Sequence, residues 1–228
     1  MILFSYNFKH KKTSDFIFHC LVNDIKIDLI IAENKKILNI QSNPFRTKVK
    51  NHPLLHPKDI SDSLNIPYMI ADHNSSEVIN HLKDLKPEIG MISGARVLSK
   101  ELINIFKIGI INFHPGDIPE IRGLNSVLKS IKLNKKIVVT SHLIDNKVDS
   151  GYLIEKQQID VEQDDTIFDI SAKSYNTQLK MIKSTYLQVL NKKFSLIDST
   201  NFPYDSSLPF ESLSDFKETF TNYKKNIS

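Results

Sequence analysis

Residues 88–116 read EIGMISGARVLSKELINIFKIGIINFHPG. Two short apolar runs, EIGMIS (88–93) and GIINFH (109–114), flank LSKELINIF (98–106), which has the length and composition of a helix. Strand, helix and strand in that order predict a βαβ unit and a parallel sheet. The alternation continues upstream. MILFSY (1–6) reads as a strand, TSDFIFHCLV (13–22) as a helix capped by Thr13 or Ser14, and IDLIIA (27–32) as a strand apolar throughout. IPYMIA (66–71) is a further strand, and SSEVINHLKDLKP (75–87) is a capped helix stopped by Pro87. Residues 43–58 carry three prolines and no period, so they read as loop. Downstream come a helix (124–134), a strand IVVTSHLI (137–144), an antiparallel extension YLIEKQQIDV (152–161) and a long helix from about Asp165 to about Asn191. The expected architecture is three-layer, Rossmann-like α/β with a mostly parallel sheet. Residues 1–192 form the expected catalytic domain. Residues 193–228, with a helix near 212–224, form a C-terminal extension rich in Ser, Pro and aromatics.

Composition narrows the class of function. The chain has 228 residues, 40% of them hydrophobic, enough for one core with a small appendage. No apolar run is long enough to span a membrane. Apolar residues precede the charges in MILFSYNFKHKK, the reverse of a signal peptide. Cys20 is the only cysteine, so no internal disulfide is available and a cytoplasmic setting is expected. A net charge of +4 without a basic stripe suits acidic small molecules and falls short of a nucleic-acid footprint. All six glycines lie between residues 90 and 151. Glycine serves where backbone turns tightly or approaches a ligand, and open α/β sheets bind ligands at the carboxyl ends of strands. The expected site is therefore built from the loops after 88–93, 109–114 and 137–144.

Within GIINFH, alternation puts Asn112 and His114 on one face of the sheet. Pro115 holds His114 extended and Gly116 permits a sharp turn. An amide N–H can donate to a developing oxyanion, and an imidazole can exchange a proton near neutral pH. Taken alone, the pair also fits a turn histidine beside a capping asparagine. The second segment, SHLIDNKVDSGYLI (141–154), adds Asp145, Asp149 and Gly151. A carboxylate meeting His114 would orient its ring. A metal site from His114, His142 and Asp149 lacks any short ligand spacing, so no metal is expected. His142 is expected to pack or to face substrate.

NFHPGDIPEIRGLN (112–125) followed by HLIDNKVDSG (142–151) resembles the signature of the folate-dependent formyltransferases. The likeness is strong from about Pro87 to Thr166 and looser from residue 1. It implies that Asn112, His114 and Asp149 are catalytic and that N10-formyltetrahydrofolate is the formyl donor. It implies a pterin pocket from Ala95, Arg96, Val97 and Leu98, with Ile144 to Asp149, Asp145 included, as the other wall. Arg96 would contribute either its side chain or only its main chain. The family loop His-x-Ser-Leu-Leu-Pro is here His114-Pro-Gly-Asp-Ile-Pro119, so Gly116 and Asp117 replace Ser-Leu.

Among acceptors that the resemblance implies, glycinamide ribonucleotide enzymes hold phosphate on a glycine-rich loop after the first strand. SYNFKHKKTSDF (5–16) has no glycine, although Lys11 and Lys12 could hold a phosphate by charge. Methionyl-tRNA enzymes carry a sizeable C-terminal domain, and only about 35 residues follow the long helix here. A formyltetrahydrofolate hydrolase is a further alternative. The HPGDIP-x-x-RGLN loop is most similar to the nucleotide-linked amino-sugar formyltransferases. That implies a dTDP-linked amino-dideoxyhexose acceptor, such as dTDP-4-amino-4,6-dideoxyglucose, for the O-antigen of lipopolysaccharide. Gly116, Asp117, Arg122, Asn125 and Tyr204 are the expected substrate contacts. Arg122 alternatively forms an ion pair with Glu120 or a neighbour. Phe202, Tyr204 and Phe210 are expected to stack on the base, form a homodimer contact or pin the tail to the core.

Overall fold

The computed structural model describes residues 1–36 and 54–226. In chain order the elements are β1 (Ile2–Tyr6), α1 (Lys11–Val22), β2 (Leu29–Glu33), α2 (Pro57–Ser63), β3 (Tyr68–Ile70), α3 (Ser76–Leu85), β4 (Ile89–Ile92), α4 (Lys100–Ile103), β5 (Gly109–His114), α5 (Ser126–Lys132), β6 (Val138–Leu143), β7 (Tyr152–Gln158), α6 (Ile167–Leu190), β8 (Ser195–Leu196) and α7 (Leu213–Asn226). They form one eight-stranded sheet in the order β3-β2-β1-β4-β5-β6-β7-β8. β3 through β5 are parallel; β6, β7 and β8 are each antiparallel to the preceding neighbour. The strand order reverses between β1 and β4, which opens a crevice at the carboxyl ends there.

Helices cover both faces of the sheet. Leu3, Met91, Ile111 and Phe113 point to one face, where they meet Phe16 and Ile17 of α1 and Met181 and Ile182 of α6. Ile2, Phe4, Ile31 and Ile110 point to the other and meet Val78 and Leu82 of α3 and Leu102 of α4. α5 and α7 join the first cluster through Leu128, Ile131, Phe216 and Tyr223. Side-chain caps start most of these helices. Ser75 Oγ accepts from Val78 N, Ser99 Oγ accepts from Leu102 N, and Thr166 forms a capping box with Asp169.

Two expectations about elements need correction. α1 starts at Lys11, two residues before the expected caps, with His10 at its N-cap and no side-chain cap bond. The expected loop 43–58 lies outside the described residues as far as 53, but its end begins α2. Pro57 occupies the first helical turn, where a missing N–H costs nothing. β6 runs against β5, pairing Ile111 with Leu143 and His114 with Thr140. Its carboxyl end therefore lies beside the middle of β5. Loop 144–151 has to fold back for Asp149 to reach the end of β5. Among the described residues, no helix is long and apolar enough to cross a membrane.

Candidate active site

One strand pair, β5 with β6, places the central groups. On β5, Ile110, Asn112 and His114 share one face. Antiparallel register sets His142 opposite Asn112 and Thr140 opposite His114. Four polar side chains thus line one patch across the two strands, and Thr140, His142 and His114 are buried.

His114 is gripped at both ring nitrogens. Nδ1 lies 3.2 Å from Asp149 Oδ1, and Nε2 lies 2.9 Å from the Ile121 carbonyl and 3.1 Å from Ser126 Oγ. Ser126 Oγ also donates to the Gly123 carbonyl at 2.8 Å. Carboxylate and carbonyl are both acceptors, so a doubly protonated ring satisfies both contacts at once. Asp149 is mostly buried, and burial pushes its carboxyl upward. Hydrogen bonding from His114, the His114 charge and the Gly123 N–H outweigh burial and hold it below the ordinary carboxylate range. Gly123 N donates to Asp149 Oδ2 at 2.8 Å. Asp149 adopts φ 49°, a left-handed conformation unusual for a residue with a Cβ. Two residues on, Gly151 has φ 106°, and a Cβ there would lie 2.0 Å from the Leu143 carbonyl.

Asn112 is oriented by a histidine. His142 Nδ1 is 2.8 Å from the Ser150 carbonyl and so carries its proton there. Nε2 is left as an acceptor for Asn112 Nδ2 at 3.1 Å. Burial, helped by the His114 charge, pushes His142 down to about 4, which keeps it neutral and preserves this tautomer. The amide is thereby fixed with one N–H on His142 and its second N–H unpaired by any described group. Thr140 Oγ1 donates to the Gly116 carbonyl at 2.7 Å and ties down the turn after His114.

The expected folate-wall residues fall in one region. Leu98 belongs to the apolar cluster on the Asn112 face, and Ala95 and Ile144 pack against it. Arg96 turns its side chain inward, with Nε 3.3 Å from the buried Glu33 carboxylate. Val97 is exposed, and its carbonyl accepts from Asn74 Nδ2. Asp145 caps its own loop by accepting from Lys147 N.

The residues expected to touch substrate divide. A Cβ on Gly116 would lie 2.6 Å from His114 Nε2 and 2.7 Å from the Ile121 carbonyl, so this glycine makes room for the imidazole itself. Asp117 pairs with Lys156. Arg122 is buried and does not bond Glu120, which pairs with Lys135. Its guanidinium donates to the carbonyls of Val148, Asp149 and Phe202. Asn125 Nδ2 donates to the Ser207 carbonyl at 3.2 Å. Tyr204 is 46% exposed and lies over Gly123. Phe210 is buried edge-on against Phe216 and pins the tail. Among the described residues, no group of three or more His, Cys, Asp or Glu is arranged to hold a metal ion.

Sequence reasoning missed Thr140, Ser126 and the orienting role of His142. The signal was present for two of them. TSH on β6 repeats the polar-x-polar alternation of NFH on β5, in a strand buried at every position. Ser126 carries no such signal, because its contact with His114 depends on how the 115–125 loop closes.

The profile of the formyl transferase family matches residues 22–186. A methionyl-tRNA formyltransferase of Clostridioides difficile (strain 630) is 30% identical over 163 residues, covering 68% of this chain and 52% of that protein. The chain thus spans about half the length of this curated relative, and less of others it matches. Solved structures share the fold. Phosphoribosylglycinamide formyltransferase from Bacillus halodurans aligns with TM-score 0.63 and 19% identity, over 84% of this chain and 95% of that one. An N-formyltransferase from Helicobacter canadensis, crystallised with folinic acid and dTDP-3-aminofucose, aligns with TM-score 0.63 and 13% identity, over 97% and 80%.

Proposed function

This chain belongs to the formyl transferase family, and from that premise we propose that it transfers a formyl group from N10-formyltetrahydrofolate to the amine of a nucleotide-linked amino sugar. The observation that carries the transfer reading is the joined set of Asn112, His114 and Asp149, with His142 fixing the amide. The amine nitrogen attacks the formyl carbon, and the carbonyl oxygen takes up the negative charge. The free N–H of Asn112 donates to that oxygen. Both nitrogens of His114 are engaged, so its contribution is the positive field of the imidazolium, which Asp149 balances. The C–N10 bond then breaks, one amine proton ends on N10, and tetrahydrofolate leaves. Ala95, Leu98 and Ile144 offer the pterin an apolar wall beside Asn112. No step calls on a metal.

Three observations favour a sugar nucleotide as acceptor. The N-formyltransferase crystallised with dTDP-3-aminofucose aligns over 97% of the chain and the glycinamide ribonucleotide enzyme over 84%. The turn after β1 lacks the glycines that would wrap a phosphate. Lys12, at the start of α1, lies over the Phe16 ring with no carboxylate partner among the described residues. Burial pushes its ammonium down to about 8. A cation at the start of α1 with no carboxylate partner among the described residues suits a diphosphate. Residues 193–228 serve on this reading as the extension that flanks the acceptor, with Tyr204 as the ring available to a base. A dTDP-linked 4-amino-4,6-dideoxyhexose of the O-antigen type is the specific acceptor we propose.

The 30% identity to a methionyl-tRNA formyltransferase supports tRNA as the second reading. Tetrahydrofolate release, followed with dTDP-amino sugar, glycinamide ribonucleotide or initiator methionyl-tRNA as sole acceptor, separates the alternatives. The first should support turnover. Turnover with either of the others alone would overturn the assignment, and release without any acceptor would indicate a hydrolase.

A further inference from the structure

Three consecutive residues grip both members of the proposed catalytic pair. The Ile121 carbonyl holds His114 Nε2, the Gly123 N–H holds Asp149 Oδ2, and between them Arg122 holds the main chain of Asp149. Arg122 is 7% exposed and has no carboxylate partner among the described residues. Its Nε donates to the carbonyls of Val148 (3.1 Å) and Asp149 (2.9 Å), Nη2 donates to Val148, and Nη1 donates to Phe202 at 2.6 Å. The planar fork of an arginine can serve three carbonyls at once; an ammonium on a flexible stem cannot. Asp149 needs such support because its φ of 49° is strained.

Phe202 is itself anchored. Lys129 Nζ pairs with Asp205 Oδ2 at 2.9 Å and also bonds the Asp205 carbonyl, while Asn125 Nδ2 holds the Ser207 carbonyl. The segment 202–207 is thus tied at three points onto 122–129, outside the Asp149 loop.

We propose that Arg122 is a positioning residue, which uses the strapped segment 202–207 as its outer anchor to set the Asp149 carboxylate against the His114 ring. Substrate does not touch Arg122 on this account. The inference rests on the proposed reading of Asp149.

The test uses the full chain with Arg122→Ala, Arg122→Lys and, as control, Asp149→Asn. Readouts are kcat, KM for folate and for the amino-sugar nucleotide, the pH profile of kcat, and circular dichroism. Arg122→Ala should lower kcat roughly 10–100-fold, as expected for a misplaced catalytic group, with both KM values little changed. The acid limb of its profile should move to higher pH. A loosened Asp149 loses the contacts that hold its carboxyl down while it stays buried. Arg122→Lys should recover part of the loss. Unchanged kcat in both variants, or a rise confined to the KM of the sugar nucleotide, would overturn the proposal. If Arg122→Ala does not fold, Arg122→Lys is judged by the same criteria. Wild-type turnover by Asp149→Asn would instead sink the reading of the site. An inactive Asp149→Asn beside unaffected Arg122 variants would sink only this inference.

Discussion

Gly123→Ala probes the contact between tail and site most directly. Gly123 has φ 91°, and a Cβ built on it would lie 1.9 Å from the Asp205 carbonyl oxygen and 3.0 Å from the Tyr204 ring. Two costs follow. Holding alanine at that φ costs about 1–3 kcal/mol. The Asp205 carbonyl must also retreat by about 1 Å to reach even the closest tolerable contact, which breaks its bond from the Lys129 ammonium. A hydrogen bond to a charged donor is worth about 1.5–3 kcal/mol. The combined loss is about 2–6 kcal/mol, and a domain of this size shifts its Tm by roughly 2–4 °C per kcal/mol. A fall of about 5–20 °C is expected. Gly123 N also holds Asp149 Oδ2, so kcat should drop about tenfold or more even where the fold persists. Thermal unfolding, turnover and limited proteolysis of the tail measure the three effects. Gly90→Ala is the control. The three atoms nearest its Cβ would belong to the side chains of Phe106 and Ile110 at 3.0–3.2 Å, which can shift, and its φ is not unfavourable, so its effect should be smaller. If Gly123→Ala matched Gly90→Ala in Tm, turnover and protease resistance, the strapped arrangement would be wrong.

Two further expectations follow from buried charge. His142 titrates at about 4 in the fold against 6.5 when free, so folding is opposed wherever the unfolded chain binds the extra proton. Its contribution should be complete above about pH 6.5 and lost progressively as pH falls towards about 4, a change on the order of 3 kcal/mol. Urea unfolding at pH 4.5 and 7 should show this slope, and His142→Gln should flatten it; an unaltered slope would mean that His142 is not buried neutral. Lys12→Met removes an ammonium that has no carboxylate partner among the described residues. It should leave Tm unchanged or higher while raising the KM of the nucleotide-linked amine, and an unchanged KM would remove Lys12 from the acceptor site.

Legibility in the sequence followed the physics of each element. The strands β1 to β5 and the pair Asn112 and His114 could be read because their determinants are side-chain alternation and apolar runs. α1 was placed late because His10 occupies the N-cap without making a cap bond, while Thr13 and Ser14 imitate one. α2 was hidden by prolines that read as loop, although one of them starts the helix. β8 is two exposed residues long and has no pattern to find. Arg122 shows the limit most clearly. An arginine beside a glycine in a loop reads as an anion contact, because its usual partners are carboxylates and phosphates. Here its partners are backbone carbonyls of residues 26, 27 and 80 positions away, which no residue type announces.

That reassignment changes how the site is expected to receive its substrates. With His114, Asp149 and Arg122 all engaged by fixed protein partners, the second N–H of Asn112 is a donor with no partner among the described residues. Preorganisation of this kind places reorganisation in folding rather than in the reaction. On the proposed mechanism the formyl oxygen must meet Asn112, with the pterin against Ala95, Leu98 and Ile144. On that reading the amine approaches from the α1 side, where Lys12 has no carboxylate partner among the described residues. The same reading assigns discrimination among amines to α1 and to the exposed ring of Tyr204 rather than to the Arg-Gly-Leu-Asn segment that most resembles a substrate motif.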